Sequence, residues 1–120
     1  MSGFVEVKTS DLIGAALDWA VTKAEILPIE MPPTDGLWGK YCSPYSPSTD
    51  WSQGGPLIQK YHMDFCCEHP ETIGAALCDE NGMYIDARMT FGSTHLEAAC
   101  RALVNHKLGY TVSVPKELLS

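Results

Sequence analysis

Hydrophobic and polar residues recur with two different periods along this chain, and each period predicts a different element. In residues 4–8 they alternate at every second position, which predicts a short β-strand. In residues 12–27 the hydrophobic positions recur with helical spacing instead. Thr9 or Ser10 is expected to cap this first helix, and Pro28 is expected to end it. The chain therefore opens with a predicted strand and helix.

Two residues of the first helix are candidates for the rim of a pocket. Trp19 and Lys23 lie one turn apart on the edge of the hydrophobic stripe, so an aromatic ring and a cation share one edge. The alternative is a tryptophan packed on the core with the lysine stem lying along it. The spacing alone leaves both interpretations open.

The second half of the chain predicts further strands and one more helix. Strand-like patterns occur in the later part of 57–65 and in 73–79, 83–91 and 110–114. The Asn-Gly pair at 81–82 predicts a hairpin turn between the two middle strands. Thr94 and Glu97 fit a capping box at the start of the second helix, and Gly109 is expected to end it in the αL conformation.

These elements predict one α+β domain that spans residues 1–120. We expect a small antiparallel sheet of about four to five strands with two main helices packed on one face. Residues 28–56 have neither period and hold six of the eight prolines, which predicts a long loop. The same loop carries several aromatic residues: Trp38, Tyr41, Tyr45 and Trp51. Such a loop either wraps a ligand or partner, or forms an ordered lid whose aromatics complete the core.

The segment 47–56, Pro-Ser-Thr-Asp-Trp-Ser-Gln-Gly-Gly-Pro, is the strongest candidate for a binding loop. Its prolines and paired glycines are typical of turns and are expected to exclude a helix or a central strand. Its polar side chains supply hydrogen-bond donors and acceptors beside Trp51. An aromatic face stacks on a nucleic acid base for about 1–3 kcal/mol, so the segment suits a nucleotide-like ligand.

The charge balance restricts the class of partner. The chain has 15 acidic and 8 basic residues, for a net charge of −7, which argues against binding along a nucleic acid backbone. No apolar run approaches the roughly 18–20 residues of a membrane span, and the N-terminus lacks a signal-peptide pattern. We therefore expect a cytoplasmic protein that binds neither nucleic acid polymers nor membranes.

A small anionic ligand remains compatible with the acidic composition. One arginine and a few backbone N–H groups suffice to bind a phosphate locally. Arg88 and Arg101 are the only arginines, and residues 92–94 at the start of the second helix offer N–H groups at a positive helix end. The alternative for each arginine is a structural ion pair, and Glu97 lies four residues before Arg101.

Other chemistries receive little support from the residues. Four possible metal ligands, His62, Cys66, Cys67 and His69, would point to opposite faces of a strand, so no metal or cofactor is expected. The odd count of 5 cysteines favours free thiols. Nucleophile-elbow, zinc-protease, phosphate-loop and deaminase signatures are all missing from the sequence, and no catalytic residue is assigned.

Three blocks of the chain resemble the NinX-like proteins of lambdoid bacteriophages. They lie at 7–23, 45–58 and 92–109, the last followed by Val-Ser-Val-Pro at 112–115. They carry the patterns Leu-Asp-Trp-Ala-Val, Thr-Asp-Trp-Ser-Gln-Gly-Gly-Pro and Gly-x-Thr-x-Leu-x-Ala-Ala-x-Arg. The chain departs from the family at His95, where the family usually has proline, and resembles it only weakly over 62–90.

The resemblance implies a non-essential phage accessory protein without an established activity. It also suggests that polar family-motif residues on three elements form one composite ligand pocket. These are Trp19, Lys23, Thr49, Asp50, Trp51, Gln53, Gly54, Gly55, Thr94 and Arg101.

The leading hypothesis is a homo-oligomer that binds a small anionic or nucleotide-like ligand. It would bind neither a nucleic acid polymer nor a membrane. The ligand would be a nucleotide-derived host immune signal, sequestered without turnover. Trp51 or Trp19 would stack on the base, and Arg101 would take a phosphate with the helix end at Thr94. The alternatives are a protein inhibitor or adaptor that docks through its acidic surface and residues 28–56, and a hydrolase with Asp50 or His95 as general base.

Overall fold

The computed structural model describes residues 3–25, 46–85 and 89–119. Within these residues the chain forms five β-strands and three α-helices. The strands are β1 Phe4–Lys8, β2 Asp64–His69, β3 Thr72–Ala76, β4 Thr90–Gly92 and β5 Thr111–Pro115. The helices are α1 Gly14–Ala24, α2 Trp51–Lys60 and α3 His95–Leu108. Predictions on other residues lie outside this range: those for Pro28, Trp38, Tyr41, Cys42, Tyr45 and Arg88.

The α+β class is confirmed, but the prediction of a single sheet is wrong. Strand β1 pairs antiparallel with β5 alone, with Phe4 opposite Pro115 and Lys8 opposite Thr111. A separate antiparallel sheet has the order β2-β3-β4. Helix α3 packs on strands of both sheets and on α1, so the two sheets share a core built around that helix. The largest fully buried side chains of this core include Trp19, Leu12, Leu17, Leu77, Leu103, Val21, Val104 and Val114.

Helix α1 begins later than the sequence predicts because Thr9 does not cap it. Thr9 is buried, its N–H donates to Tyr110 O at 2.7 Å, and its hydroxyl donates to Gly109 O at 2.6 Å. These bonds extend the β1–β5 pairing by one residue. The chain then makes a short 3-10 turn at Thr9–Asp11 and enters α1 only at Gly14.

The prediction that residues 51–56 form a loop is also wrong, because they open helix α2. The Asp50 side chain caps this helix by accepting from Ser52 N at 2.9 Å. A Cβ on Gly54 would lie 2.5 Å from the carbonyl oxygen of Pro47 and 2.6 Å from Leu96 Cδ2. Gly54 is therefore explained by close packing of the helix, and tertiary contacts offset the cost of its glycines and of Pro56.

The predicted turn at 79–82 is present between shorter strands than expected. Asp79 N donates to Met83 O at 2.8 Å, and Gly82 adopts a φ of 80°. Cys78 and Tyr84 form one isolated bridge beyond the turn. Strand β3 nevertheless ends at Ala76, so regular pairing does not continue through this turn as it would in a full hairpin.

Helix α3 has the predicted capping arrangement with one difference at each end. Thr94 Oγ1 accepts from Glu97 N at 3.0 Å, while the Glu97 carboxylate returns to Ser93 N at 2.9 Å instead of Thr94 N. Gly109 ends the helix with a φ of 98° and a ψ of −169°, which is outside the αL region. None of the helices in the described part of the chain has the length and apolar character needed to cross a membrane.

Candidate functional site

An open groove of about 480 Å³ lies where the first residues of α2 and α3 come together. We call it the Trp51 groove. Its walls come from the turn before α2, from the junction of β4 with α3, and from β3. The described residues that line it are Ser48, Thr49, Trp51, Ile73, Ser93, Thr94, His95 and Leu96.

Aromatic rings form one side of the Trp51 groove. Trp51 is the first residue of α2 and is 59% exposed. Its ring centroid lies 6.4 Å from that of His95, which in turn lies 5.2 Å from that of Phe65. An indole held beside a second ring, with much of its surface in water, offers an apolar face to a planar ligand.

Backbone N–H groups at two helix ends provide polar groups in the same groove. Each side-chain cap accepts a hydrogen bond from only one backbone N–H group of the first helical turn. Asp50 accepts from Ser52 N, and Thr94 accepts from Glu97 N. The N–H groups of His95 and Leu96 form no hydrogen bond within the described chain. The partial positive charge of a helix lies on these first N–H groups, and the carboxylates of Asp50 and Glu97 lie at the same two helix ends.

A buried contact to α1 holds the turn that forms the groove wall. Asp18 is buried, and its Oδ1 accepts from Ser48 N at 2.8 Å. Burial raises the pKa of the Asp18 carboxyl, and the hydrogen bonding from Ser48 lowers it only in part. The Ser48 hydroxyl also lies near this carboxylate, yet it forms no hydrogen bond of normal geometry in the described chain. Ser48 thus belongs to the groove wall, but its hydroxyl is buried beside Asp18.

Arg101 lies in a second, larger cavity and is largely engaged by the fold. This cavity has a volume of about 690 Å³ and is walled by the ends of β1 and β5, by β4 and by one face of α3. Arg101 Nε donates to Leu12 O at 2.9 Å, and Nη1 donates to Phe91 O at 3.0 Å. Nη1 also lies 3.3 Å from Glu97 Oε1. Arg101 therefore faces a cavity and pairs with Glu97 at the same time.

The structure brings three of the ten predicted site residues into one groove. Thr49, Trp51 and Thr94 line the Trp51 groove, and Arg101 lines the neighbouring cavity, which shares Ser93 with it. The composite pocket expected from the family motifs is therefore divided into two adjacent spaces. Ser93 at the β4–α3 junction separates them.

Trp19 and Lys23 lie on α1 and line neither of these two cavities. Trp19 is 0% exposed, and its ring centroid lies 6.2 Å from that of Phe4. The Lys23 ammonium lies 5.4 Å from the centroid of the Trp19 ring. This is the arrangement of a core tryptophan covered by a lysine, and stacking a ligand on Trp19 would require the core to open.

The remaining predicted residues build the start of α2. Asp50 Oδ1 accepts from both the N–H and the hydroxyl of Ser52. Gln53 Oε1 accepts from Ser46 N, which closes the preceding turn. Gly54 packs against Pro47, while a Cβ on Gly55 would meet no atom within 4 Å. The polar residues of this motif thus fold the helix end that presents Thr49 and Trp51.

Sequence reasoning did not assign Ser48, Ile73, Ser93 or Leu96 to the candidate site. Ser93 was considered only as a source of N–H groups, and His95 only as a general base. Ser48 is part of the same family motif as Trp51, which is the one signal that could have included it. Its burial depends on Asp18, 30 residues earlier, and no local pattern encodes that contact.

No group of three or more His, Cys, Asp or Glu side chains in the described residues is placed to hold a metal ion. Cys66 and Cys67 are exposed free thiols on β2, whereas Cys78 and Cys100 are buried. Burial raises the pKa of the Cys100 thiol far above its usual value, which keeps that thiol protonated and unreactive.

The fold and the groove together define a small α+β protein with an open, aromatic-walled groove. A protein-family model described as bacteriophage P22 NinX matches residues 8–107. The chain therefore belongs to the NinX family of phage proteins, as its three motif blocks predict. No curated protein sequence gives a significant match to the chain.

Proposed function

We propose that this phage protein binds a nucleotide-derived small molecule in the Trp51 groove and holds it without turnover. The observation that carries the proposal is the exposed Trp51 ring, placed beside His95 where two helix N-termini meet. Because the family is a phage family, we assign the ligand to the nucleotide-derived signals with which a host cell raises its defences. The protein would then act by sequestration.

The shape and chemistry of the groove support a ligand that joins a planar ring to a polar group. Stacking on Trp51 contributes about 1–3 kcal/mol per base. Thr49, Ser93 and Thr94 line the same groove and carry hydroxyl groups, and the first N–H groups of α3 lie beside them. A volume of about 480 Å³ is within the usual range for small-molecule sites of about 300–1,000 Å³.

The residues around His95 favour holding the ligand over converting it. Its imidazole lies between the rings of Trp51 and Phe65, so its neighbours are aromatic. Among the described residues that line the groove there is no carboxylate, lysine, arginine or thiol. A general base is oriented by a hydrogen-bonding partner, and the two rings beside His95 provide none.

We also propose that the protein works as a homo-oligomer. The Trp51 groove is open, and Trp51 keeps 59% of its surface exposed in the single chain. A second copy placed over the groove would bury this ring and exclude water from the ligand. Native mass spectrometry of the purified protein, with and without ligand, measures the number of subunits directly.

Calorimetric titration with a panel of nucleotides and a deproteinised extract of infected cells tests ligand binding. We expect saturable binding that Trp51→Ala weakens by tenfold or more, about 1.4 kcal/mol. Tyr110→Ala is the matched control, because Tyr110 is an aromatic residue that is 72% exposed on the other cavity. Recovery of the ligand unchanged by mass supports sequestration. Failure to bind any ligand at tens of micromolar, or formation of product in excess of protein, contradicts the proposal.

One observation favours the second candidate function, a protein inhibitor or adaptor. Three consecutive apolar residues beside the 79–82 turn are exposed: Met83 at 65%, Tyr84 at 47% and Ile85 at 45%. Exposed apolar residues in a group are typical of a protein-binding surface. A stoichiometric host partner that is lost on Met83→Ser with Ile85→Ser, and retained on Trp51→Ala, would favour this function over ligand binding.

A further inference from the structure

We infer that the cavity of about 690 Å³ around Arg101 binds an extended, uncharged segment of polypeptide. We call this space the Arg101 cavity. The inference does not depend on the proposed function, which concerns the Trp51 groove. It follows from the shape of the cavity, from the spacing of the polar side chains on its floor, and from the balance of charge along its lining.

The Arg101 cavity is a trough between the two sheets. One face of α3 forms its floor, because α3 packs on strands of both sheets. Residues 90–92 of β4 form one wall, and residues at the adjoining ends of β1 and β5 form the other. The floor extends from Glu97 to Asn105, or about 12 Å along the helix, which is the length of about four residues of extended chain.

Polar side chains occur on this floor at regular intervals. Glu97, Arg101 and Asn105 follow one another at every fourth residue, so they are about 6 Å apart along the helix axis. In an extended chain the main-chain groups of alternate residues point to the same side, and they recur at about 6.4–6.8 Å. The main chain of an extended peptide therefore matches the spacing of the floor.

Two of these side chains keep hydrogen-bonding groups for a ligand. The Asn105 amide forms no hydrogen bond within the described chain, and an amide both donates and accepts. Arg101 binds Leu12 O and Phe91 O through Nε and Nη1, while its Nη2 has no partner among the described residues. The Arg101 side chain is only 11% exposed, so this donor is already held in place. Such groups suit the C=O and N–H groups of a peptide.

The charges along the Arg101 cavity favour a ligand without net charge. Among the described lining residues, the positive charges of Lys8 and Arg101 are balanced by the negative charges of Glu71 and Glu97. A strongly acidic or strongly basic ligand would meet like charges as well as opposite ones. A peptide main chain carries dipoles and no charge, so it avoids this repulsion.

An exposed aromatic ring on each wall provides contacts for apolar side chains. Phe91 on β4 is 44% exposed, and Tyr110, directly before β5, is 72% exposed. When the main-chain groups of an extended peptide face the floor, its side chains alternate between the two walls. Each wall thus presents a ring to one set of peptide side chains, and aromatic residues are typical of such contacts.

Selection from a display library of random eight-residue peptides tests the inference. The natural protein is the bait, and the double variant Asn105→Ala, Tyr110→Ala serves for counter-selection. We expect the enriched peptides to carry apolar residues and no net charge. The most enriched peptide, with an acetylated N-terminus and an amidated C-terminus, is then titrated calorimetrically. N-methylation of its backbone should weaken binding at alternate positions, where an N–H faces the floor.

Single variants assign the bound peptide to the Arg101 cavity. Asn105→Ala removes the floor amide but introduces a better helix former, so we expect the fold to be kept while affinity falls by about tenfold. Tyr110→Ala, at an exposed ring, is expected to have a similar effect. Gln59→Ala truncates an exposed amide of α2 outside the cavity, and this matched control should keep affinity within about threefold. Thermal unfolding checks that each variant is folded.

The possible outcomes each support or overturn the inference. Peptides that are enriched by the natural protein, weakened by Asn105→Ala and unaffected by Gln59→Ala support it. It is overturned if no peptide is enriched over the double variant, if the enriched peptides are strongly charged, or if N-methylation has no effect. Self-association that Tyr110→Ala abolishes would assign the cavity to a second copy of the chain instead. Nucleotide binding is titrated separately, so either result for the Trp51 groove leaves these outcomes unchanged.

Discussion

The buried carboxylate of Asp18 accepts a hydrogen bond of 2.8 Å from the backbone N–H of Ser48, 30 residues further along the chain. This bond fixes the turn before α2 to the middle of α1, and Trp51 follows that turn directly. The position of the exposed indole is therefore set by a contact in the core. Asp18 holds this position at an electrostatic cost, because burial raises the pKa of its carboxyl.

The first prediction concerns the pH dependence of stability through Asp18. Because the pKa is higher in the folded protein than its ordinary value of 3.8, the folded state retains a proton that the unfolded chain has lost. The contribution of Asp18 is therefore greatest below the ordinary pKa, and it falls as the pH rises through the raised pKa. Asp18→Asn keeps an oxygen acceptor for Ser48 but carries no charge.

We expect the free energy of unfolding of the natural protein, minus that of Asp18→Asn, to decrease from acidic to neutral pH. Urea unfolding at a series of pH values measures this difference. Asp11→Asn, at an exposed aspartate of the 3-10 turn, is the surface control. A difference that stays constant or increases with pH would show that the charged form of Asp18 is not penalised by burial.

The second prediction compares the two neighbouring glycines of α2. Gly54→Ala would place a Cβ 2.5 Å from Pro47 O and 2.6 Å from Leu96 Cδ2, so we expect it to destabilise the protein by about 1–3 kcal/mol. Gly55→Ala meets no atom within 4 Å and is expected to stabilise the helix by about 0.5–1 kcal/mol. Thermal or denaturant unfolding of both variants measures the effects. Equal effects would contradict the close packing of α2 on Pro47.

These glycines also show why the sequence predicted the elements better than their arrangement. Strand β1 and the capping box of α3 depend on local periodicity and on side chains within a few residues, and both were confirmed. Helix α2 was missed because its glycines and Pro56 disfavour a helix locally, whereas the reason for Gly54 lies in contacts with Pro47 and Leu96. The division into two sheets likewise depends on pairing over long sequence separations, which local patterns do not encode.

The candidate site was predictable to a similar extent. Trp51, Thr49 and Thr94 were identified from motifs, and the structure places them in one groove. Trp19 has a motif of the same kind, but only the packed structure shows that it is fully buried. A family motif therefore marks residues that matter to the protein without distinguishing those that fold it from those that face a ligand.

The third prediction assigns Arg101 a structural role. Its guanidinium joins Leu12 O to Phe91 O and so links the chain before α1 to β4. Arg101→Lys cannot make both bonds in this geometry and is expected to cost about 1.5–3 kcal/mol of stability. Glu97→Gln, which removes the charge of its partner but keeps an acceptor, should cost at most about 1 kcal/mol.

Chemical unfolding of both variants measures the effect on stability, and ligand titration of the folded protein measures the effect on binding. We expect Arg101→Lys to leave the affinity of the Trp51 groove within about threefold, below 1 kcal/mol. A large loss of affinity without a loss of stability would return Arg101 to the phosphate-binding role that the sequence suggested.

The last prediction distinguishes the two roles considered for His95. Its ring lies between Trp51 and Phe65, which suits a support for the stacking surface. His95→Phe keeps an aromatic ring there and is expected to keep ligand affinity within about threefold. His95→Ala removes the ring and should weaken binding by about 0.5–1.5 kcal/mol. If His95 were a general base, the natural protein would form product, and both variants would stop product formation regardless of their affinity. Titration together with chromatography of the recovered ligand therefore decides between support and catalysis.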